Sequence, residues 1–189
     1  MISVGQDYLT WGYGENGRIV LSDKAPTYPY IRFDYQPLPW LRFHYAHAWL
    51  QSGLVDSSRS YTIPGGYFSG TREVDITKYM AMHSLDITLK KGLVFSLGES
   101  VIYNDHLNIG YLVPIMFFKA FDNYDNRGVI QKGSNGQFFF QVNSRNQLRN
   151  THLYGTLFID EIRASAIFDK KQARNQLGYT VGAAVTDIG

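Results

Sequence analysis

Apolar residues at every second position, in runs of about ten, constrain this 189-residue chain more than any other feature. Successive side chains on a strand point to opposite faces, so such runs fold as strands of a sheet with one apolar and one polar face. Ile31, Phe33 and Tyr35 alternate with Arg32, Asp34 and Gln36; Leu41, Phe43, Tyr45 and Trp49 alternate with Arg42, His44, Ala46 and Ala48. Pro37-Leu38-Pro39 between them predicts a tight turn, because proline cannot donate to a ladder. A second hairpin is predicted around Lys91-Gly92, where Leu85, Ile87 and Leu89 are answered by Leu93, Phe95 and Leu97. A third joins Phe138, Phe140 and Val142 to Leu153, Leu157 and Ile159 across the polar 144–150 turn, and Tyr179, Val181, Ala183 and Val185 make a last strand facing small residues. Seven strands are plain, and residues 3–9 and 18–22 supply two short ones.

One segment breaks the period. Residues 114–123 are apolar without alternation and begin at Pro114, which predicts a short helix packed on the sheet as a plug or cap. Connections are unequal: the turns at 37–39, 91–92 and 144–150 are short, whereas 51–77 is long and polar, and 122–136 is intermediate. That asymmetry is the habit of outer-membrane barrels, although soluble sandwiches share it.

The longest apolar run, 111–118, falls far short of the roughly 20 residues of a membrane helix, while a membrane β-strand needs only about 9 to 11. The alternation alone fits a soluble sandwich or a barrel in lipid. Aromatic residues, 15% of the chain, favour the barrel, because Tyr28, Tyr30, Tyr35, Trp40, Tyr45, Trp49, Tyr103, Tyr154 and Tyr179 lie mostly near strand ends, where interfacial girdles form. Arg32, Asp34, Arg42 and His44 share a face and are expected to form a polar lattice in the lumen, with Asp34 paired to Arg42. Leu41, Phe43, Ile87 and Leu157 are expected to face lipid.

Composition narrows the function. A formal charge of +2 gives no general attraction to nucleic acid, so no nucleic-acid partner is expected. With no cysteine there is no thiolate metal site, disulfide or cysteine nucleophile. No dinucleotide, P-loop, nucleophile-elbow or zincin motif occurs, so neither cofactor nor metal is expected and the chain is read as non-enzymatic. His44 and His47, three apart on a strand, point to opposite faces. His83, Asp86, Glu99, Asp105 and His106 are the only candidates for acid and base work. Glu99 falls on the apolar face unless a bulge near Gly98 or a strand end intervenes. Aromatics interleaved with Asn, Gln, Asp and Arg also suit sugar binding, so a soluble β-protein that binds or hydrolyses carbohydrate is the alternative.

In order along the chain, Gly5-x-Asp7, Trp11-Gly12-x-Gly14, Leu21-Ser22-x-x-Ala25-Pro26, Gly98-Glu99-Ser100-Val101-Ile102-Tyr103, Tyr111-Leu112-x-Pro114, Leu157-Phe158-Ile159-Asp160-Glu161 and Leu177-Gly178-Tyr179-x-x-Gly182 resemble the motifs of the Wzi-like capsule assembly proteins. Val113 stands where that pattern has asparagine before the proline. The resemblance implies a Gram-negative outer-membrane β-barrel that anchors capsular or exported polysaccharide, as a lectin rather than an enzyme. At roughly 18 to 20 residues per strand and connection, built on strands of about 10, the chain supplies at most about ten strands. Residues 1–189 are therefore expected to be one barrel domain or an internal segment of a larger barrel, with no signal peptide in this chain. The long loops then carry the polysaccharide contacts: Arg59, Tyr61, Tyr67 and Arg72 in one, and Tyr124, Asn126 and Arg127 in another.

Overall fold

A computed structural model describes residues 1–67, 69–104, 106–125, 134–161 and 176–187. The fold is all-β with one short helix. Eight strands form a single antiparallel sheet: β1 (Ile2–Asp7), β2 (Tyr28–Leu38), β3 (Leu41–Val55), β6 (Asp75–Lys90), β7 (Leu93–Asn104), β8 (Asn135–Arg145), β9 (Thr151–Glu161) and β10 (Gln176–Val185). They lie side by side in that order, each antiparallel to the next. A two-stranded hairpin, β4 (Tyr61–Ile63) and β5 (Gly70–Arg72), stands apart between β3 and β6. Among the described residues the sheet does not close on itself, and β1 and β10 are its edges.

Seven of the eight sheet strands follow the expected alternation, and β1 matches the short strand expected at 3–9. Residues 18–22 form no strand; Trp11 and Leu21 make only an isolated bridge. The long loop is shorter than the polar composition of 51–77 implied, because β3 runs on to Val55 and β6 begins at Asp75, leaving 56–74. The first turn is also displaced: β2 passes through Pro37 to Leu38, with a register shift between Tyr35 and Leu38.

Register assigns the faces. On one side, Arg32, His44, Ala46, Met82, Ser84, Asp86, Ser96, Gly98, Gln141, Thr156 and Thr180 are neighbours or near-neighbours across seven strands, polar or small almost throughout. On the other, Phe43, Leu85, Leu97, Phe140, Leu157 and Tyr179 make one continuous row, with Leu41, Ile87, Phe95 and Val142 in the next. Leu41, Phe43, Ile87 and Leu157 thus share the apolar face. Phe95, Leu97, Phe140, Leu157 and Tyr179 are exposed there. The aromatic residues divide: Tyr28, Tyr30 and Tyr154 lie on the polar side, so they cannot belong to a girdle on the apolar side.

Each face carries its own cover. The connection between β1 and β2, residues 8–27, lies across the polar face and packs Leu9 and Trp11 with Ala46, Ala48, Met80, Met82 and Phe139. On the apolar face, a 3-10 turn (Ile109–Leu112) and helix α1 (Phe118–Asp125) cover Tyr45, Ala81, Val101 and Tyr103. The helix starts at Phe118, not Pro114. A residue before proline is pushed out of the helical region, and Val113 is accordingly extended, with φ −81° and ψ 110°.

Close packing on the polar face requires glycine at two places. A Cβ on Gly98 would stand 2.3 Å from the fully buried Phe139 ring and 2.4 Å from the His83 carbonyl oxygen; one on Gly182 would stand 2.2 Å from the Tyr154 ring.

Candidate functional site

The 8–27 strap crosses the polar face with its alternate residues reaching successive strands. Trp11 meets the His44 ring edge-on at 5.9 Å on β3. Tyr13 donates a 2.7 Å hydrogen bond to Asp86 Oδ2 on β6 and lies 2.9 Å from Ser96 Oγ on β7. Glu15 Oε1 is 2.6 Å from His152 Nδ1 on β9, and Gly17 accepts a 3.2 Å bond from the Thr180 hydroxyl on β10. The strap is irregular: it bends at 12–13 and 15–16, with Gly12 at φ 126° and Gly17 at φ 69°, and doubles back so that Trp11 and Leu21 form an antiparallel bridge. Burial beside the Asp86 carboxylate pushes the Tyr13 phenol above its ordinary pKa, which keeps it a hydrogen-bond donor.

Under the strap lies the expected polar lattice, altered in one member. Asp34 and His44 are directly opposite in register, and the His44 Nδ1 donates to Asp34 Oδ1. Arg32 grips the same carboxylate through Nε at 2.9 Å and a terminal nitrogen at 3.0 Å, and its guanidinium lies over Trp11 at 5.8 Å. The far side of the imidazole, Nε2, is 3.4 Å from Asp86 Oδ2, and Asp86 also accepts from the Ser96 hydroxyl. Arg42 is on the expected face but does not pair with Asp34. The turn register sets His44 against Asp34, and Arg42 donates instead to Gln36 Oε1 at 3.2 Å. A small open pocket of about 130 Å³ lies beside the lattice, lined by Trp11, Arg32, Asp86, Ser96 and Gln141 among others. The buried Gln141 Nε2 has no hydrogen-bond partner there. Tyr13 on Asp86 and Ser96, with Trp11 against His44 and Arg32, binds the strap to this lattice.

The candidates for acid and base work do not converge. Asp86 is on the polar face, whereas His83 and Glu99 are on the apolar one, directly opposite each other in register with His83 Nε2 3.3 Å from Glu99 Oε1. Asp86 and Glu99 therefore cannot flank one glycosidic bond. His106 is exposed, and Asp105 lies outside the described residues. His44 and His47 are on opposite faces, as their spacing requires. Among the described residues no three His, Asp or Glu side chains are placed to hold a metal.

Glu99 is the residue whose position the sequence posed as a problem, and neither a bulge nor a strand end solves it. Register runs unbroken through Gly98 and Glu99. The side chain, only 3% exposed, accepts the backbone N–H of Phe118 at 2.5 Å and of Lys119 at 3.3 Å. These are unpaired donors at the first turn of α1, and an anion there also meets the positive end of the helix dipole. The signal available beforehand was a lone carboxylate in an apolar row followed by an apolar segment with a helix start.

The expected polysaccharide residues scatter over the 56–74 loop. Tyr61 and Arg72 are directly opposite at the base of the β4–β5 hairpin, and Tyr67 is fully exposed near its tip. Arg59 is held at the loop root by Asp56, Nε to Oδ2 at 2.5 Å. Hydrogen bonds from Ser58, with the Arg59 guanidinium, hold the Asp56 carboxyl down at about 2. Tyr124 falls on α1 with its side chain undescribed, and Asn126 and Arg127 lie outside the described residues. Comparisons with protein-family models, curated proteins and solved structures found no match.

Proposed function

We propose that the chain forms part of the wall of a β-barrel in the outer membrane of a Gram-negative bacterium, and that it holds capsular or other exported polysaccharide at the cell surface without catalysing a reaction. One observation carries the reading. The sheet turns an apolar face outward over most of its width while its polar face is covered by the chain's own strap, the reverse of a soluble sheet. In a barrel, the apolar face meets lipid, the strap occupies the lumen, and the β1 and β10 edges pair with further strands. All three short turns lie at one end of the sheet and the hairpin-bearing loop at the other, the arrangement by which outer-membrane barrels present long loops outside the cell.

The polysaccharide reading rests on the resemblance to Wzi-like proteins together with this loop placement. Tyr61, Tyr67 and Arg72 stand on the hairpin, and Tyr124, Asn126 and Arg127 belong to the next connection on the same end. Weak contacts of this kind add along a repeating polymer. The test replaces Tyr67, Arg72 and Arg127 by alanine in the protein in its host membrane, and measures both folding and capsule retained on cells. Lost capsule with normal folding is expected; unchanged capsule with normal folding would remove these residues from the site.

A further inference from the structure

The segment between β7 and α1 is two-sided in a way that the wall does not require. Its inward residues are tied to the sheet. Tyr111 packs tilted on Tyr103 with ring centroids 4.5 Å apart, and its carbonyl accepts 2.8 Å from the Tyr45 hydroxyl, while Phe118 is buried and its backbone N–H donates to Glu99. Its outward residues are large and apolar: Ile109 is 76% exposed, Ile115 83% and Phe117 55%, with Leu107 and Val113 beside them. Residues 107–118 contain no charged side chain. A surface loop in water has no reason to hold five apolar side chains outward on polar and aromatic anchors.

The geometry points to an interfacial flap: we infer that 107–117 dips its outward side chains into the boundary between lipid headgroups and acyl chains, outside the wall. This rests on the membrane reading of the sheet and adds a second lipid contact to it. Lipid is the occupant because the patch continues the apolar face, with Phe117 against Phe138 at 6.0 Å and Phe138 beside the exposed rows of β8 and β9. A fluid hydrocarbon phase satisfies the protruding side chains and the broad sheet face together. The depth follows from the backbone. Irregular peptide is not tolerated in lipid-exposed hydrocarbon, where its polar groups have no partner. The flap begins beside Tyr103, near the upper end of β7, and descends to Phe138 in the row of Glu99.

The absence of cysteine in this chain permits single-site probes. Ile115→Cys, Leu157→Cys and Tyr67→Cys, each carrying an environment-sensitive fluorophore, are reconstituted into phosphatidylcholine vesicles bearing nitroxides at the 5 or the 12 position of the acyl chain. The Ile115 probe should lose most fluorescence to the 5-position nitroxide, the Leu157 probe to the 12-position one, and the Tyr67 probe only to aqueous iodide. A lipid-quenched Leu157 with an iodide-quenched Ile115 overturns the flap and leaves the membrane reading standing. An Ile115 probe shielded from both quenchers overturns it in favour of a covering protein surface. A Leu157 probe reached by neither nitroxide overturns the membrane reading and the flap with it. If Ile115→Cys does not fold, Ile109→Cys answers the same question.

Discussion

Removing the Glu99 carboxylate should free α1 from the sheet. The structure sets the size of the effect: the side chain is buried and accepts two backbone N–H groups at the start of the helix, with the His83 imidazole 3.3 Å away. Loss of a capping acceptor costs about 0.5 to 2 kcal/mol. Stranding a buried donor costs about 1 to 3 kcal/mol more, and the Phe118 amide has no route to water once its own side chain is packed. Glu99→Ala should therefore destabilise docking of the helix by about 2 to 4 kcal/mol. Glu99→Gln keeps one acceptor oxygen and removes the charge, so about 1 to 2 kcal/mol is expected. Hydrogen exchange reads this locally: the amides at 118–122 should lose protection by the corresponding factor in Glu99→Ala, and less in Glu99→Gln, while β9 and β10 are unchanged. Equal protection in wild type and Glu99→Ala, within about 0.5 kcal/mol, would refute the clamp. Loss spread evenly over the whole sheet would show that Glu99 supports the sheet and not the helix.

Three further outcomes follow from particular contacts. Gly98→Ala drives a methyl into Phe139 and a backbone oxygen, and overpacking of this kind costs about 1 to 3 kcal/mol, read as a lower denaturation midpoint at unchanged slope. Tyr13→Phe removes the strap's bonds to Asp86 and Ser96 and should cost about 1 kcal/mol; exchange at 10–18 should rise while the sheet ladder stays protected. The turn at 56–60 should depend on pH with a definite sign. Asp56 titrates at about 2, below its ordinary value of 3.8, so its stabilisation of the turn is fully present above that value and is lost as pH falls from there through about 2. Exchange at 58–60 should rise only in that window, and Asp56→Asn should abolish the dependence.

The strands were legible because a buried or lipid-facing sheet writes its two faces into a two-residue period that neighbouring residues report. Phe138 to Val142 and Leu153 to Ile159 needed no distant partner to be read. Contacts between remote residues left no such trace: Tyr13 meets Asp86 and Glu15 meets His152 across the fold, so the strap that covers the polar face was invisible, and residues 18–22 looked like a strand. The polar lattice was legible to the level of face parity, which placed Arg32, Asp34, Arg42 and His44 together. Partner choice depended on a register shift near Leu38, which gave Asp34 to His44 and Arg42 to Gln36. Glu99 was visible only as an anomaly, since the amides that explain it arrive from 19 and 20 residues along the chain.

The membrane claim is tested most directly along a single strand. Cysteines placed singly at 152 through 159 of β9 and labelled in reconstituted protein should alternate, with the probes at 153, 157 and 159 quenched by nitroxide lipids and those at 152, 154 and 156 protected from them. Quenching by aqueous iodide at 153, 157 and 159, with no response to nitroxide lipid at any position, would contradict a lipid-facing wall.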